Sequence, residues 1–341
     1  MDEVKGMEEA EDKIYTLDDI ARELGVSKTT VSRAISGKGR IGKETRERVN
    51  AFIEQHNYRP NVMAKGLAQK KTYNLAMVIP KDYTADDVPF FRECMNGICE
   101  MAASYNYDIM IAMIMGKNLQ QIQRLISDRK VDGMIISRAT AGSGVQKFLK
   151  EKKVPFVVVG PSDDPDVLWV DNHNQEASKE LTELMLMKGI RKLALLGGDS
   201  SYLVTESRFR GFAQAHQEQG LEPDDSLIFM GIDNYLKAAR AVEKTLAAGA
   251  DGILCMDDFI TDLVLGCLRE KGVHVPADIK LASLYDSIQL EHNTPTVTSL
   301  RFDTRELGRR ACVLLLQLLG ENIDAEQTPL TYQVILRDST K

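Results

Sequence analysis

The 341-residue sequence is poor in the residues and spacings that signal cross-links, metal sites and catalysis. Its five cysteines (Cys94, Cys99, Cys255, Cys267, Cys312) are odd in number and scattered through apolar patterns without C-x-x-C spacing. That excludes a disulfide framework and a cysteine zinc site, leaving buried free thiols. The five histidines (His56, His173, His216, His274, His292) are equally dispersed and suggest no triad. Nucleophile-elbow, H-E-x-x-H and P-loop motifs are missing. No catalytic residue, cofactor or metal is therefore expected, and the chain reads as a non-enzyme. No apolar run approaches the ~20 residues of a membrane helix, and the acidic N-terminus lacks the basic start and apolar stretch of a secretory signal. The expectation is a soluble, cytoplasmic chain with no membrane partner.

Hydrophobic residues make up 43% of the chain and charged residues 27%, as in globular proteins. The length suggests two or three structural units. The net charge of −7 hides a division. Residues 1–12 carry six acidic and one basic residue, residues 13–72 carry thirteen basic and six acidic, and the rest is acidic. A basic module ahead of an acidic body is the layout expected when one end of a protein meets phosphates.

Within that module, Thr16 with Asp19 forms a capping-box variant, opening a run that places Leu17, Ile20, Ala21 and Leu24 on one helical face. Gly25 supplies a left-handed helix end. Ser27 caps a second helix with Val31, Ala34 and Ile35 inward and Lys28, Thr29, Ser32 and Arg33 outward. Two helices joined so tightly form a helix-turn-helix. The outward set suits DNA, because Arg33 can pair bidentately with guanine while Lys28 and Thr29 reach base edges or phosphates. A third helix, Lys43 to His56, buries Val49, Phe52 and Ile53 and offers Arg46 and Arg48 as phosphate contacts. Gly37, Gly39 and Gly42 spell the dinucleotide-binding pattern G-x-G-x-x-G. That motif needs a preceding strand, whereas here a helix precedes it, so no cofactor is inferred.

Residues 60–72 could form only two or three helical turns, and Gly66 costs about 1 kcal/mol against alanine. Helices this short are marginal in water. The pattern predicts a hinge that orders on DNA, with Leu67 as an apolar wedge in the minor groove; a plain linker is the alternative.

From Tyr73 onward short apolar runs alternate with amphipathic stretches, predicting parallel sheets covered by helices on both faces. Candidate strands are Asn74 to Ile79, Asp108 to Ile114, Val131 to Ser137, Phe156 to Gly160, Leu193 to Gly197, Leu227 to Met230, Gly252 to Met256 and Ile279 to Tyr285. So many strands fit two doubly wound lobes better than one. Ligands of open α/β sheets bind beyond the carboxyl ends of strands. This singles out Pro80, Arg138, Asp257 with Asp258, and Asp286, together with Arg208 at a loop-to-helix junction. Arginine and carboxylates converging there suit a polyhydroxylated ligand, with Phe90, Trp169, Tyr235 or Phe302 stacking on it.

Taken together, these residues resemble the lactose-repressor (LacI/GalR) family along essentially the whole chain after Lys13. The headpiece carries TLDDIARELGVSKTTVSRAISG, TRERV and NYRPN, then A-x-x-L in the hinge. The body carries PFFRECMNGI, VDN at Val170 to Asn172, R-x-x-G-F at Arg208 to Phe212, and TVTSLRFDTRELG. The resemblance implies an α/β protein with an all-α helix-turn-helix headpiece and a two-lobed, periplasmic-binding-protein-like core. It implies a homodimer on a pseudo-palindromic operator in double-stranded DNA. Carried over by position, Lys28, Thr29 and Arg33 would read bases, Thr30 and Ser32 would touch backbone, and Asn61, Ala64 and Leu67 would work in the minor groove. Thr16 and Tyr58 complete the DNA-binding set. Arg208, Asp257 and Asp286 would hold the effector, beside Phe90, Arg138 and Phe302. The implied division is an acidic disordered tail (1–12), headpiece (13–59), hinge (60–72) and core (73–341). Within the core, lobe 1 spans about 73–172 and 302–331, and lobe 2 about 173–301 and 332–341.

The chain departs from the family pattern in three places. Gly42 stands where many members cap helix three with serine, Gly66 makes the hinge more plastic, and the chain stops soon after a strand at Tyr332 to Leu336. Without a further C-terminal helix a dimer is expected rather than a tetramer. Ser137-Arg138, KVPFVVVG and VDNHN are most similar to maltose-type regulators of Gram-positive bacteria, which points to maltose or another α-glucoside as effector. The effect of effector on DNA is expected to be relief of repression, as is commoner among sugar-sensing relatives. Control by a phosphocarrier protein is the main alternative, and an α/β enzyme fused to a DNA-binding headpiece a remote one.

Overall fold

The computed structural model describes residues 15–37, 39–56, 58, 66, 69–80, 89–114, 118–323 and 329–341. The chain falls into two compact units that part between Lys71 and Thr72.

The first unit packs α1 (Leu17–Leu24), α2 (Lys28–Ser36) and α3 (Lys43–Gln55) around Ile20, Ala21, Val31, Ala34 and Val49. Its helix ends follow from side-chain chemistry. The Thr16 hydroxyl accepts from the Asp19 N–H at 3.3 Å while the Asp19 carboxylate accepts from the Thr16 N–H at 3.0 Å, satisfying two orphan donors of α1. Gly25 then ends α1 at φ 64°, and Ser27 caps α2 by accepting from the Thr30 N–H. The glycines that spell a nucleotide motif have turn roles. Gly37 ends α2 at φ 68° and Gly39 sits at φ 92°, both in the left-handed region where a side chain is strained. Gly42 occupies the N-cap of α3 without a capping side chain.

The second unit contains two sheets. The first has strand order β2-β1-β3-β4-β5, all parallel: β1 (Asn74–Pro80), β2 (Asp108–Ile114), β3 (Gly133–Ile136), β4 (Phe156–Val159) and β5 (Trp169–Val170). Alternate residues of β1 serve opposite faces, as the two-residue period of a strand dictates. Leu75, Met77 and Ile79 pack under α4 (Pro89–Ser104) and α12 (Thr304–Leu318). Ala76 and Val78 pack under α5 (Gln120–Ser127) and α6 (Gly144–Lys152). The α4–α12 pair touches backbone to backbone, since a Cβ on Gly97 would lie 1.9 Å from the Arg305 carbonyl oxygen and one on Gly308 2.1 Å from that of Cys94.

The second sheet has order β11-β10-β9-β8-β6-β7, with β6 (Leu193–Leu196), β7 (Ile228–Phe229), β8 (Gly252–Cys255), β9 (Lys280–Ser283), β10 (Thr298–Phe302) and an antiparallel β11 (Tyr332–Ile335). One face carries α7 (Asn174–Met187) and α8 (Leu203–Glu218), and the other α9 (Tyr235–Ala247) and α10 (Asp258–Glu270). A short α11 (Ile288–His292) precedes β10. Because α12 returns to the first sheet between β10 and β11, the chain passes between the lobes three times.

Two strands depart from the sequence reading. Strand β5 has only two residues, too few to show a period. Strand β10 begins with Thr298 and Ser299, both fully buried, so its sequence does not look apolar. Their polarity is met locally: the Thr298 N–H donates to Ser339 Oγ at 2.9 Å, and Ser299 Oγ donates to Asp286 at 2.6 Å.

Candidate functional site

On the first unit, Lys28, Thr29, Ser32 and Arg33 form an exposed face of α2, with Thr30 half-buried beside them. The burial of Val31 and Ala34 on the opposite face turns this one outward. Asp18 holds the Lys28 ammonium at 2.7 Å, and Gly39 passes so close to Arg33 that a Cβ there would lie 3.2 Å from its Cδ. Two of the expected contacts also have tasks within the headpiece. Thr16 spends its hydroxyl on the capping box, donating to Asp19 at 2.6 Å. Arg48, expected on phosphate, donates to the Leu24 carbonyl at 2.9 Å and so satisfies the C-terminal end of α1. Arg46 is half-buried, its Nε without a hydrogen-bond partner. Tyr58 packs against the three-helix core, and burial raises its phenol pKa against the opposing pull of Lys28. Asn61, Ala64 and Leu67 lie outside the described residues.

In the second unit a cavity with an empty volume of about 740 Å³, partly open to solvent, lies between the lobes at the carboxyl ends of the strands. Strand β3 delivers Ser137 and Arg138 from the first lobe, and β8 delivers Asp257 and Asp258 from the second. Helix α8 brings Arg208. An aromatic wall joins the lobes: Tyr285 stacks on Phe302 at 6.2 Å with an 18° interplanar angle and meets Phe90 edge-on at 6.1 Å.

The polar groups form one chain of contacts. Arg208 Nη1 donates to the Met256 carbonyl at 2.6 Å and Nε to Asn174 Oδ1 at 3.1 Å. Asn174 Nδ2 in turn donates to Asp171 at 2.6 Å. Burial lowers the Arg208 pKa, opposed by attraction to Asp257. Asp257 caps α10, its Oδ1 accepting from the Ile260 N–H at 2.8 Å. Burial still raises the Asp257 pKa, against that hydrogen bond and the pull of Arg208. Asp258 is pushed up to about 6 by burial and then by the charge of Asp257. Asn172, 3% exposed, presents an Oδ1 with no hydrogen-bond partner on the cavity wall.

Of the expected effector residues, Phe90, Arg138, Arg208, Asp257 and Phe302 line this cavity, and Asp286 does not. The Asp286 carboxylate is occupied elsewhere, accepting from Arg337 at 2.7 Å, Ser299 at 2.6 Å and Arg301 at 2.8 Å. Burial works the other way, yet these donors hold its pKa below the ordinary value. Pro80, Trp169 and Tyr235 also stay out of the cavity; Trp169 is 48% and Tyr235 42% exposed. Sequence reasoning missed Asn172, Asn174 and Tyr285 as cavity groups. The VDNHN run carried a signal for the first two, and the strand-end rule pointed one residue past Tyr285.

Among the described residues no group of three His, Cys, Asp or Glu side chains could hold a metal ion, and no helix is long and apolar enough to cross a membrane. Residues 16–61 match the description of bacterial regulatory proteins of the lacI family, and residues 182–340 that of a periplasmic binding protein-like domain. The chain is 30% identical over 331 residues to catabolite control protein A of Staphylococcus xylosus, covering 96% of this chain and 99% of that protein. It is 29% identical over 320 residues to the HTH-type transcriptional regulator MalR of Streptococcus pneumoniae, covering 92% and 95%. Among solved structures, the complex of the transcriptional regulator CelR with cellobiose superposes with a TM-score of 0.71 at 26% identity, covering 95% of this chain and 99% of that one.

Proposed function

The chain belongs to the lacI family of bacterial regulatory proteins and is a DNA-binding transcription regulator, and from that premise we propose that it is a repressor whose operator affinity is set by a neutral glycoside in the interlobe cavity. The observation that carries the ligand class is the unpartnered Asn172 Oδ1 beside Arg208, Asp171 and Asp257. A buried acceptor without a partner calls for a ligand donor, and hydroxyls supply both donors and acceptors. Three carboxylates against two guanidiniums on the wall disfavour a phosphorylated sugar. Maltose or another α-glucoside is the proposed ligand; the cellobiose bound by CelR makes the β-linked disaccharide the comparison to run.

In this reading Arg33, Lys28 and Thr29 read bases, Thr30 and Ser32 touch backbone, and Asn61, Ala64 and Leu67 enter the minor groove. The active species is a homodimer on a pseudo-palindromic operator. The edge position of β2, with Ile111 39% and Met113 38% exposed, supports a partner there. Effector and DNA are linked, so DNA changes effector affinity by the factor by which effector changes DNA affinity.

The test is thermal unfolding against a panel of mono- and disaccharides and their phosphates. A ligand at a hundredfold excess over its Kd adds about 2.7 kcal/mol of stability. A shift confined to neutral glycosides, lost in Arg208→Met, supports the reading. A shift with sugar phosphates alone overturns the ligand class, and none with any sugar moves control to a protein co-regulator.

A further inference from the structure

Beyond the cavity wall, the two lobes are tied by a short two-stranded strap at its rim. The loop after β3 runs antiparallel to the loop that leads into α8, with Thr140 paired to Tyr202. The Ala141 N–H donates to the Ser201 carbonyl at 3.0 Å, and the Leu203 N–H to the Ala139 carbonyl at 3.1 Å. Leu203 belongs to the second lobe by its helix but is buried in the first lobe's core with Ile136, Ala139 and Val167. Tyr202 is 3% exposed and does not line the cavity. Its ring nevertheless carries the Arg138 guanidinium, 4.8 Å from the centroid, with Phe91 flanking the same group at 5.0 Å. One residue thus provides backbone to the strap and an aromatic face to a cavity-lining cation, an attractive arrangement when desolvated.

We propose that this strap is the closure latch of the cavity and that Tyr202 is its positioning residue, holding Arg138 where a ligand meets it so that a filled cavity tightens the strap. The proposal rests on the effector reading for its ligand but not for the latch itself. Tyr202 is also the N-cap of α8, the helix that carries Arg208, so a ligand held between Arg138 and Arg208 spans the strap from both sides. A ligand contact on Arg138 presses a cation whose other face already rests on the opposite lobe. Opening the lobes would take the two backbone hydrogen bonds, the Leu203 contact and the Arg138–Tyr202 contact together.

The experiment follows amide hydrogen exchange in the full-length protein, in fragments containing Ala141 and Leu203. Without any sugar, Tyr202→Leu is expected to speed exchange at these two amides at least tenfold while leaving β3 and β6 unchanged. Tyr202→Phe, which keeps the ring, restores protection. Wild-type protection in Tyr202→Leu, or a loss that Tyr202→Phe shares, overturns the latch. In a second arm, maltose or cellobiose slows exchange at the same two amides in wild type, and Tyr202→Leu weakens its affinity about tenfold where Arg208→Met abolishes it. Unaltered affinity in Tyr202→Leu removes the positioning role. If neither sugar binds, the effector reading fails, and the sugar-free arm still decides the strap.

Discussion

Asp258 offers a measurable stability cost of building the cavity. Its side chain lines the site next to Asp257, the residue is 7% exposed, and its pKa is pushed from an ordinary 3.8 up to about 6. A carboxyl whose folded pKa lies above its unfolded value binds protons more tightly in the folded state. Its favourable contribution is therefore fully present below pH ~3.8 and is lost as pH rises through about 6. The difference of roughly two pK units corresponds to about 3 kcal/mol. Asp258→Asn removes the ionisation and keeps the shape, so it should stabilise the ligand-free protein by about that much at pH 7.5. The gain should shrink towards zero at pH 4. Urea unfolding of wild type and variant at several pH values, compared pairwise so that other titrations cancel, measures it. A difference that is the same at pH 4.5 and 7.5 would refute the account, because a packing change alone carries no pH dependence. Loss of sugar affinity in the stabilised variant would show a trade of stability for function.

Three further outcomes follow from the packing and the exposed faces. Arg33→Ala should flatten operator preference by about 1–3 kcal/mol while leaving affinity for non-specific DNA nearly unchanged, as read by gel shift against scrambled competitor. Gly308→Ala should prevent proper closure of α12 on α4, because its Cβ would fall 2.1 Å from the Cys94 carbonyl oxygen; loss of soluble protein or a sharply lowered Tm checks it, and wild-type stability refutes it. Thr16→Ala should cost the headpiece about 1 kcal/mol by removing one half of the capping box, measurable by unfolding in the absence of DNA.

Features governed by local rules were legible in the sequence. Capping of α1 and α2 could be read because each donor and acceptor lies within three residues. Arg138 and Asp257 could be placed because both follow directly on apolar strands, where open sheets put their ligands. Non-local features were hidden. Asp286 occupies an equivalent strand-end position, but Arg337, 51 residues later, turns its carboxylate to a structural task. Arg48 faces solvent as its place on α3 suggested, but its hydrogen bond to the Leu24 carbonyl depends on how α1 and α3 pack and has no local signal. Strand β10 was hidden because its buried Thr298 and Ser299 are satisfied by distant partners, Ser339 and Thr340 for the first, Asp286 and Arg337 for the second. The strap could not be read at all, since it joins two loops that no period or motif relates.

The return of α12 to the first lobe has a consequence for how the protein is made. The first sheet is laid down by residue 170, yet the helix covering Leu75, Met77 and Phe91 begins only at Thr304. A chain emerging from the ribosome therefore carries a sheet face covered by α4 alone throughout synthesis of the second lobe, and transiently exposed apolar surface of this kind is prone to aggregate. The three-helix headpiece has its whole core encoded before residue 56 and faces no such delay. A chain broken off between Phe302 and Thr304 would carry the complete headpiece core on a first lobe that lacks α12.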